Sequence, residues 1–216
     1  MTPSPVILVC FAVEEEASFF RKLSSARPNL RVLLTGIGKR HSERAIRNAL
    51  ERERPRLVVS SGFAGGLRTE LHTGDIVYAA DPETGLESAL AAAGARAARF
   101  YCAERIVSTA VEKVSLSNET EADAVEMESE VIRSICRERY IPSATIRVIL
   151  DTAVEDLPLD FNQLMTADQK LSAWRLAAAL IKSPTKIQAL VRLQKQSKAA
   201  ARRLGEVLEN VLPSQC

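Results

Sequence analysis

Two acidic groups in the sequence follow apolar runs and could transfer protons. Glu14, Glu15 and Glu16 stand together, and crowded like charges raise one another's pKa, which can keep a carboxylate ready as a general base. Asp151 follows another apolar run, where burial beside a ligand would raise its pKa and let it donate a proton. Both groups also have structural interpretations, because acids stabilise a first helical turn and an aspartate often caps an element.

A third acidic group surrounds a methionine in the segment Val125-Glu126-Met127-Glu128-Ser129. A carboxylate there could accept hydrogen bonds from two vicinal sugar hydroxyls while Met127 packs on the sugar ring. The structural alternative is that the acids suit the dipole at the start of a helix and that the methionine fills a core.

Two glycine-containing segments could bring backbone N–H groups close to a ligand. They are Gly62-Phe63-Ala64-Gly65-Gly66 and Gly36-Ile37-Gly38-Lys39. The first is neither a Walker loop nor a dinucleotide-binding fingerprint, since both spacings fail. A plain turn after a strand is the alternative interpretation of each segment.

Short apolar runs that alternate with helical patterns must position these groups. The predicted strands span residues 6–13, 31–35, 57–61, 76–79 and 145–150, and helices are predicted after 14–16, around 45–50, and over 86–98, 124–139, 166–181 and 185–212. Almost wholly apolar strands between helices predict a largely parallel sheet covered on both faces. Because ligands lie beyond the carboxyl ends of such strands, residues 14–16, 36–39 and 62–66 and Asp151 should lie along one edge of the sheet.

Composition bounds the remaining possibilities. The 216 residues contain no linker, which predicts one domain over 1–216 with a helical part over 160–216. A net charge of +2 gives no reason to bind nucleic acid. Four scattered cysteines and two histidines predict a reduced, metal-free protein, and the absence of a signal peptide or a long apolar stretch predicts a cytoplasmic one.

The last predicted helix is amphipathic and basic. Leu190, Val191, Ala201, Leu204 and Leu208 are predicted on its apolar side. Its cations are Arg192, Lys195, Lys198, Arg202 and Arg203. They are predicted to form a solvated face, and weak contact with a membrane surface is the alternative.

The chain closely resembles the methylthioadenosine/S-adenosylhomocysteine nucleosidase and nucleoside phosphorylase superfamily. Four segments carry the resemblance in order: FAVEEEASFF, LLTGIGKRHSERAI, RPRLVVSSGFAGGLRTELHTGDIVYA and ADAVEMESEVIRSICRERYIPSATIRVILDTA. It covers roughly the first 155 residues, apart from a shortened stretch near 80–120. Within the superfamily, STAVEKVSLSNETEADAVEMES and the tail from DLPLDF are similar to hopanoid-associated phosphorylases, which remove adenine from adenosylhopane.

The resemblance implies a three-layer fold with a mixed, mostly parallel sheet flanked by helices and extended by C-terminal helices. It also implies release of adenine from a nucleoside, without a cofactor, by a homo-oligomer such as a dimer. The implied catalytic residues are Glu16, which activates water, and Asp151, which protonates N7 of the departing purine. Implied contacts to ribose and base come from Phe63, Ala64, Gly65, Glu126, Met127 and Glu128, with Arg147 ordering the neighbouring acids.

Some residues depart from the superfamily pattern. Leu150 replaces the serine that commonly precedes the catalytic aspartate, and Phe63 replaces a small polar residue, which predicts a more apolar pocket. Inorganic phosphate is the alternative acceptor, bound by Lys39 or Arg40, but a carboxylate at Glu16 would repel it and favours water. A catalytically silent nucleoside-binding or membrane-surface module is the alternative from another class.

Overall fold

A mixed sheet forms the middle of the molecule. The computed structural model describes residues 6–164, 166 and 186–213. Within these residues the strands are β1 (Ile7–Phe11), β2 (Leu30–Leu34), β3 (Leu57–Gly66), β4 (Ile76–Ala80), β5 (Arg96–Ala97), β6 (Phe100–Cys102), β7 (Ala124–Glu126) and β8 (Ser143–Asp151). The helices are α1 (Glu14–Ser24), α2 (Lys39–Arg52), α3 (Glu87–Ala92), α4 (Ala110–Thr120), α5 (Ser129–Glu138), α6 (Phe161–Leu164) and α7 (Lys186–Val211).

Most neighbouring strands run parallel. The strand order is β2-β1-β3-β8-β4-β5, while β7 pairs with the end of β3 and β6 pairs with β7. Strand β1 is parallel to β2 and β3, and β3 is parallel to β8. Strands β4 and β7 are antiparallel to β8 and β3, respectively. The carboxyl ends of β1, β3 and β8 therefore meet at one edge of the sheet.

Strand β1 shows why the central strands are apolar throughout. Its side chains alternate between the two faces of the sheet, as a pleated strand requires. Ile7, Val9 and Phe11 join a core with residues of α1 and α7, whereas Leu8 and Cys10 join a second core with residues of α2 and α5. The sheet is thus the middle of three layers, which confirms the predicted fold class.

The second half of α7 closes the first core. Leu204 and Leu208 are fully buried in that core. A Cβ at Gly205 would lie 2.7 Å from Cδ1 of Phe19, so glycine permits the close approach of α7 to α1. The sequence predicts that Val191 lies on the same apolar side of the helix as Leu204 and Leu208. That prediction is wrong, because Val191 lies in the first half of the helix and is 46% exposed.

No helix in the described ranges is long and apolar enough to cross a membrane. The helix predicted over 166–181 lies outside the described residues, apart from residue 166.

Three predicted elements differ from the structure. Residues 62–66 are not a loop: they continue β3, because β8 pairs with them on one side and β7 pairs with Gly65 and Gly66 on the other. The predicted helix over 124–139 begins instead at Ser129, after the short strand β7. The helix predicted over 86–98 is limited to α3 and is followed by β5.

Candidate active site

A cavity of about 460 Å³ opens at the carboxyl ends of β1, β3 and β8. This volume lies within the range of small-molecule sites. Its lining combines acids with many apolar side chains. The acids are Glu15, Glu16, Glu126, Glu128 and Asp151, and the apolar residues include Ile37, Phe63, Ile106, Val107, Met127, Leu150, Leu157, Phe161 and Leu193.

The first turn of α1 holds Glu16 in the cavity wall. Its Oε2 accepts hydrogen bonds from the backbone N–H groups of Ala12 at 2.9 Å and Val13 at 3.4 Å, and its Oε1 accepts one from Phe63 at 2.8 Å. Burial raises the pKa of Glu16, although Arg147 and these N–H donors act in the opposite direction. The residue is therefore a fixed carboxylate with proton affinity above the ordinary value, as a general base requires.

Gly62 provides the space that Glu16 occupies. Its φ is 142°, and a Cβ there would lie 2.6 Å from Oε1 of Glu16 and 2.7 Å from Nη1 of Arg147. Such contacts are shorter than real Cβ atoms tolerate. Position 62 therefore accepts glycine alone without moving the carboxylate or the guanidinium.

Beneath the cavity, Arg147 forms an ion pair with Glu126. Nη2 of Arg147 lies 2.5 Å from Oε2 of Glu126 and donates to Oγ of Ser60 at 3.2 Å. Glu126 also accepts hydrogen bonds from the backbone N–H groups of Glu128 and Ser129 and from Oγ of Ser129. Burial would raise the pKa of Glu126, but Arg147 and these donors outweigh burial and hold the pKa below its usual range.

Protein donors use most of the hydrogen-bonding capacity of Glu126 and join β7 to the start of α5. A contact of Glu126 with a sugar stays a prediction.

Glu128 lies in the bend between β7 and α5 and retains capacity to bind a ligand. Its Oε1 accepts the backbone N–H of Gly38 at 2.9 Å, and Nη2 of Arg147 is 3.4 Å from Oε2. Burial and the neighbouring carboxylates Glu126 and Glu16 raise the pKa of Glu128 to about 7, against the opposing charge of Arg147. Glu128 is the less saturated of the two glutamates and faces the same cavity as Glu16.

Asp151 is the last residue of β8 and forms a direct ion pair with Lys113 of α4 through Oδ2. The Lys113 side chain is 0% exposed. Burial raises the pKa of Asp151, and the Lys113 ammonium opposes this increase. The side chain is therefore a buried carboxyl with elevated proton affinity and one oxygen bound by a cation.

The structure brings most of the predicted site residues to this cavity. Glu16, Glu128 and Asp151, which we name the acidic floor, line it together with Met127. Phe63, Ala64 and Gly65 line it from the end of β3. Arg147 lies behind the acidic floor and contacts Glu126 and Glu128, and its role in ordering the acids stays a prediction.

Sequence reasoning missed two groups of residues. Four half-buried side chains, Ile106, Leu157, Phe161 and Leu193, form what we name the apolar rim of the cavity. The rim segments are joined by hydrogen bonds, because Asn162 exchanges two with the backbone of Ile106 and the N–H of Leu157 donates to Ser108.

Lys113 is the other missed residue. A capping box at Thr109 and Glu112 was a sequence signal for its helix, since each side chain bonds the backbone N–H of the other.

Among residues 6–164, 166 and 186–213, no group of three or more histidine, cysteine, aspartate or glutamate side chains is arranged so that it could hold a metal ion. Lys39, an expected phosphate ligand, is paired with Glu130 at 2.9 Å and is not part of the cavity lining, and Arg40 is exposed. Arg105 is the one lysine or arginine in the described lining.

Comparisons with known proteins agree with the sequence motifs. Residues 83–183 match the model of the phosphorylase superfamily. The 5′-methylthioadenosine/S-adenosylhomocysteine nucleosidase of Shewanella sediminis is 26% identical and covers 69% of this chain and 80% of its own length.

Solved structures share the fold. Futalosine hydrolase of Helicobacter pylori has a TM-score of 0.67 at 18% identity, covering 95% of this chain and 97% of its own. The adenine complex of the methylthioadenosine/S-adenosylhomocysteine nucleosidase from Colwellia psychrerythraea has a TM-score of 0.70 at 16% identity. The match covers 98% of this chain and 96% of that chain. The resemblance to the superfamily and its fold is confirmed.

Proposed function

We propose that this relative of the phosphorylase superfamily is a hydrolase that breaks the N-glycosidic bond of an adenine nucleoside and releases the base. The observation that carries the proposal is that Glu16, Glu128 and Asp151, from distant parts of the chain, face one cavity. Cleavage of such a bond passes through an oxocarbenium-like sugar, which needs nearby negative charge and a proton for the leaving base. The acidic floor offers both.

Each acid has a role that follows from its contacts. Glu16 uses about three of its four lone-pair positions on backbone N–H groups, which leaves one to accept a proton from water. Glu128 accepts hydrogen bonds from the ribose hydroxyls, with Met127 against the sugar. Asp151 gives its proton to N7 of the purine as the bond between C1′ and N9 breaks.

Water is the proposed acceptor because of the charges around the cavity. Five carboxyl groups line it, of which Asp151 alone must be protonated in the proposed reaction, whereas Arg105 is the one cation in the described lining. A phosphate dianion would be repelled there, since stable phosphate binding needs converging cations and N–H donors. A phosphorolytic reaction would need cations that this lining does not supply.

The apolar rim supports a substrate with a bulky apolar 5′ group. Ile106, Leu157, Phe161 and Leu193 are half-buried around the cavity. Phe63 and Leu150 add apolar surface at positions where the resemblance to the superfamily implies small polar residues. Apolar surface of this kind gains free energy by covering a hydrocarbon substituent. Adenosylhopane, the substrate of the hopanoid-associated phosphorylases that the sequence resembles, is one such nucleoside.

The first half of α7 fits weak contact with a membrane surface, from which a lipid-like nucleoside would come. Ile187 and Val191 are 47% and 46% exposed there, among exposed Arg192, Lys195 and Lys198. Deletion of this helix would remove core residues, so the double variant Lys195→Glu/Lys198→Glu is the better test. It should lower sedimentation with anionic vesicles while leaving turnover of a water-soluble nucleoside unchanged.

The proposal is tested by incubating the protein with adenosine, methylthioadenosine and an adenosine carrying a long 5′-alkylthio chain, each with and without phosphate. Free adenine is followed by chromatography. We expect adenine in both conditions, with the highest kcat/KM for the alkylthio substrate. Adenine that appears only with phosphate would contradict hydrolysis, and no adenine from any of the three would contradict the nucleosidase function.

A further inference from the structure

Lys113 is a lysine whose three N–H donors are all used inside the protein. Its Nζ donates to the carbonyl oxygens of Thr152 and Glu155, each at 2.7 Å, and pairs with Oδ2 of Asp151. An ammonium has three donors, so none remains for another partner. Lys113 is outside the cavity lining and reaches the candidate acid from behind.

Burying this charge is costly. A buried ammonium is tolerated only when paired and hydrogen-bonded, and an apolar side chain in its place is often as stable. Neutral donors could bond the carbonyls of Thr152 and Glu155 equally well. The charge itself is therefore explained best by what it does to Asp151.

The pair leaves one oxygen of Asp151 for the ligand. Oδ2 is held by Lys113, whereas no group among the described residues donates a hydrogen bond to Oδ1. Asp151 lines the cavity next to Gly65, whose missing Cβ would lie 3.4 Å from Oδ2 and 3.8 Å from Oδ1. The carboxyl is thus fixed at one oxygen and open at the other.

We infer that Lys113 is a positioning residue for the reaction: it orients the Asp151 carboxyl toward the departing base and stabilises the carboxylate that remains after proton transfer. The inference rests on the proposed function. In the step concerned, the O–H bond of Asp151 breaks and an N7–H bond forms on the purine. The electron pair of the C1′–N9 bond passes to the base, and the new carboxylate stays beside the Lys113 ammonium.

Other charges also act on Asp151. Glu155 raises its pKa from the loop after β8, and Arg192 of α7 acts in turn on Glu155. From the cavity, the charged side chains are Glu15, Glu16, Glu126, Glu128 and Arg105. Burial raises the pKa of Asp151, and Lys113 makes the largest of the contributions that lower it. Lys113 is therefore the residue to change.

The test compares Lys113→Met, Lys113→Gln and Lys113→Arg with the wild type. Methionine removes the charge at similar size, glutamine removes it but keeps amide donors for the two carbonyls, and arginine keeps the charge. The glutamine variant preserves the test should the methionine variant fail to fold. For each protein, kcat and KM for the best nucleoside are measured across pH.

We expect the two neutral variants to lose about tenfold in kcat with little change in KM, since Lys113 does not line the cavity. An acid must be protonated to act, so kcat falls as pH rises through the pKa of Asp151. Loss of the ammonium raises that pKa. The alkaline limb of the kcat–pH profile, over which kcat falls, therefore moves to higher pH by about 1–3 units. Lys113→Arg should keep the limb near its wild-type position.

A purely structural role would lower stability without moving the alkaline limb. An unmoved limb in Lys113→Met and Lys113→Gln, or an equal shift in Lys113→Arg, therefore overturns the inference while the wild type still releases adenine. A wild type that releases no base overturns the proposed function instead.

Discussion

The acidic floor and the apolar rim border one cavity but are held in different ways. Glu16 and Asp151 belong to the first turn of α1 and the end of β8, and each is fixed by buried partners. Phe161 and Leu193 of the rim are half-buried and belong to α6 and α7. We expect the floor to determine the chemical step and the rim to determine which nucleoside is bound.

The largest effect should come from the two proton-transferring acids. Glu16→Gln or Asp151→Asn should each lower kcat by about 10²–10⁴-fold, because general acid–base groups contribute that much. The measurement is the steady-state rate of adenine release. Glu14→Gln is the matched control, since Glu14 is exposed and pairs with Arg21 at 3.0 Å outside the cavity lining. Equal losses in the control and in Glu16→Gln would contradict a special role for the floor.

A smaller but still large effect should follow from Gly62→Ala. The added methyl group would lie 2.6 Å from Oε1 of Glu16, so the carboxylate must move. We expect a loss of about 1–3 kcal/mol in the free energy of unfolding and at least about tenfold in kcat. Gly66→Ala is the control, since its nearest neighbours are 3.5 Å away. Wild-type stability and rate in Gly62→Ala would show that the floor is not rigid.

A rim variant should change selectivity and leave the chemistry intact. Phe161→Ala removes apolar surface, so KM for a long-chain 5′-alkylthioadenosine should rise on the order of 10- to 100-fold while kcat/KM for adenosine stays near wild type. Val154→Ala is the control, because that side chain is 70% exposed outside the lining. A parallel loss for both nucleosides would place Phe161 in the catalytic step and erase the distinction between floor and rim.

The last expected effect is on stability alone, which should depend on pH. The pKa of Glu128 is raised from 4.5 to about 7, so the folded protein binds a proton that the unfolded chain has released between these values. The free energy of unfolding should therefore fall as pH rises from about 4.5 to about 7, relative to Glu128→Gln. Leu193→Ala should differ from the wild type by a constant amount over this range. A flat difference for Glu128→Gln would contradict the raised pKa.

Two of the three acids of the floor were predictable from position, because Glu16 and Asp151 follow apolar runs that form parallel strands. The rule that ligands lie at the carboxyl ends of such strands predicts from the sequence alone that Glu16 and Asp151 share one edge of the sheet. The extent of β3 was not predictable, because residues 62–66 are kept extended by pairing with β8 and β7, which are distant in sequence. Glycines there indicated a loop on local grounds alone.

The rim and Lys113 could not be found from local pattern. Leu193 has no feature that separates a cavity residue from an ordinary apolar position of an amphipathic helix. A lysine within a helix usually faces solvent, and the burial of Lys113 depends on Asp151, a carboxylate on a distant strand. Partners brought together by tertiary structure decide such positions.

The central claim is that the acidic floor directs water to the sugar. The most direct test is turnover of a 5′-alkylthioadenosine in ¹⁸O-labelled water containing phosphate, with the sugar product analysed by mass spectrometry. We predict one ¹⁸O atom in the released sugar, no sugar 1-phosphate, and loss of this product in Glu16→Gln. A sugar 1-phosphate, or undiminished ¹⁸O incorporation in Glu16→Gln, would contradict the account.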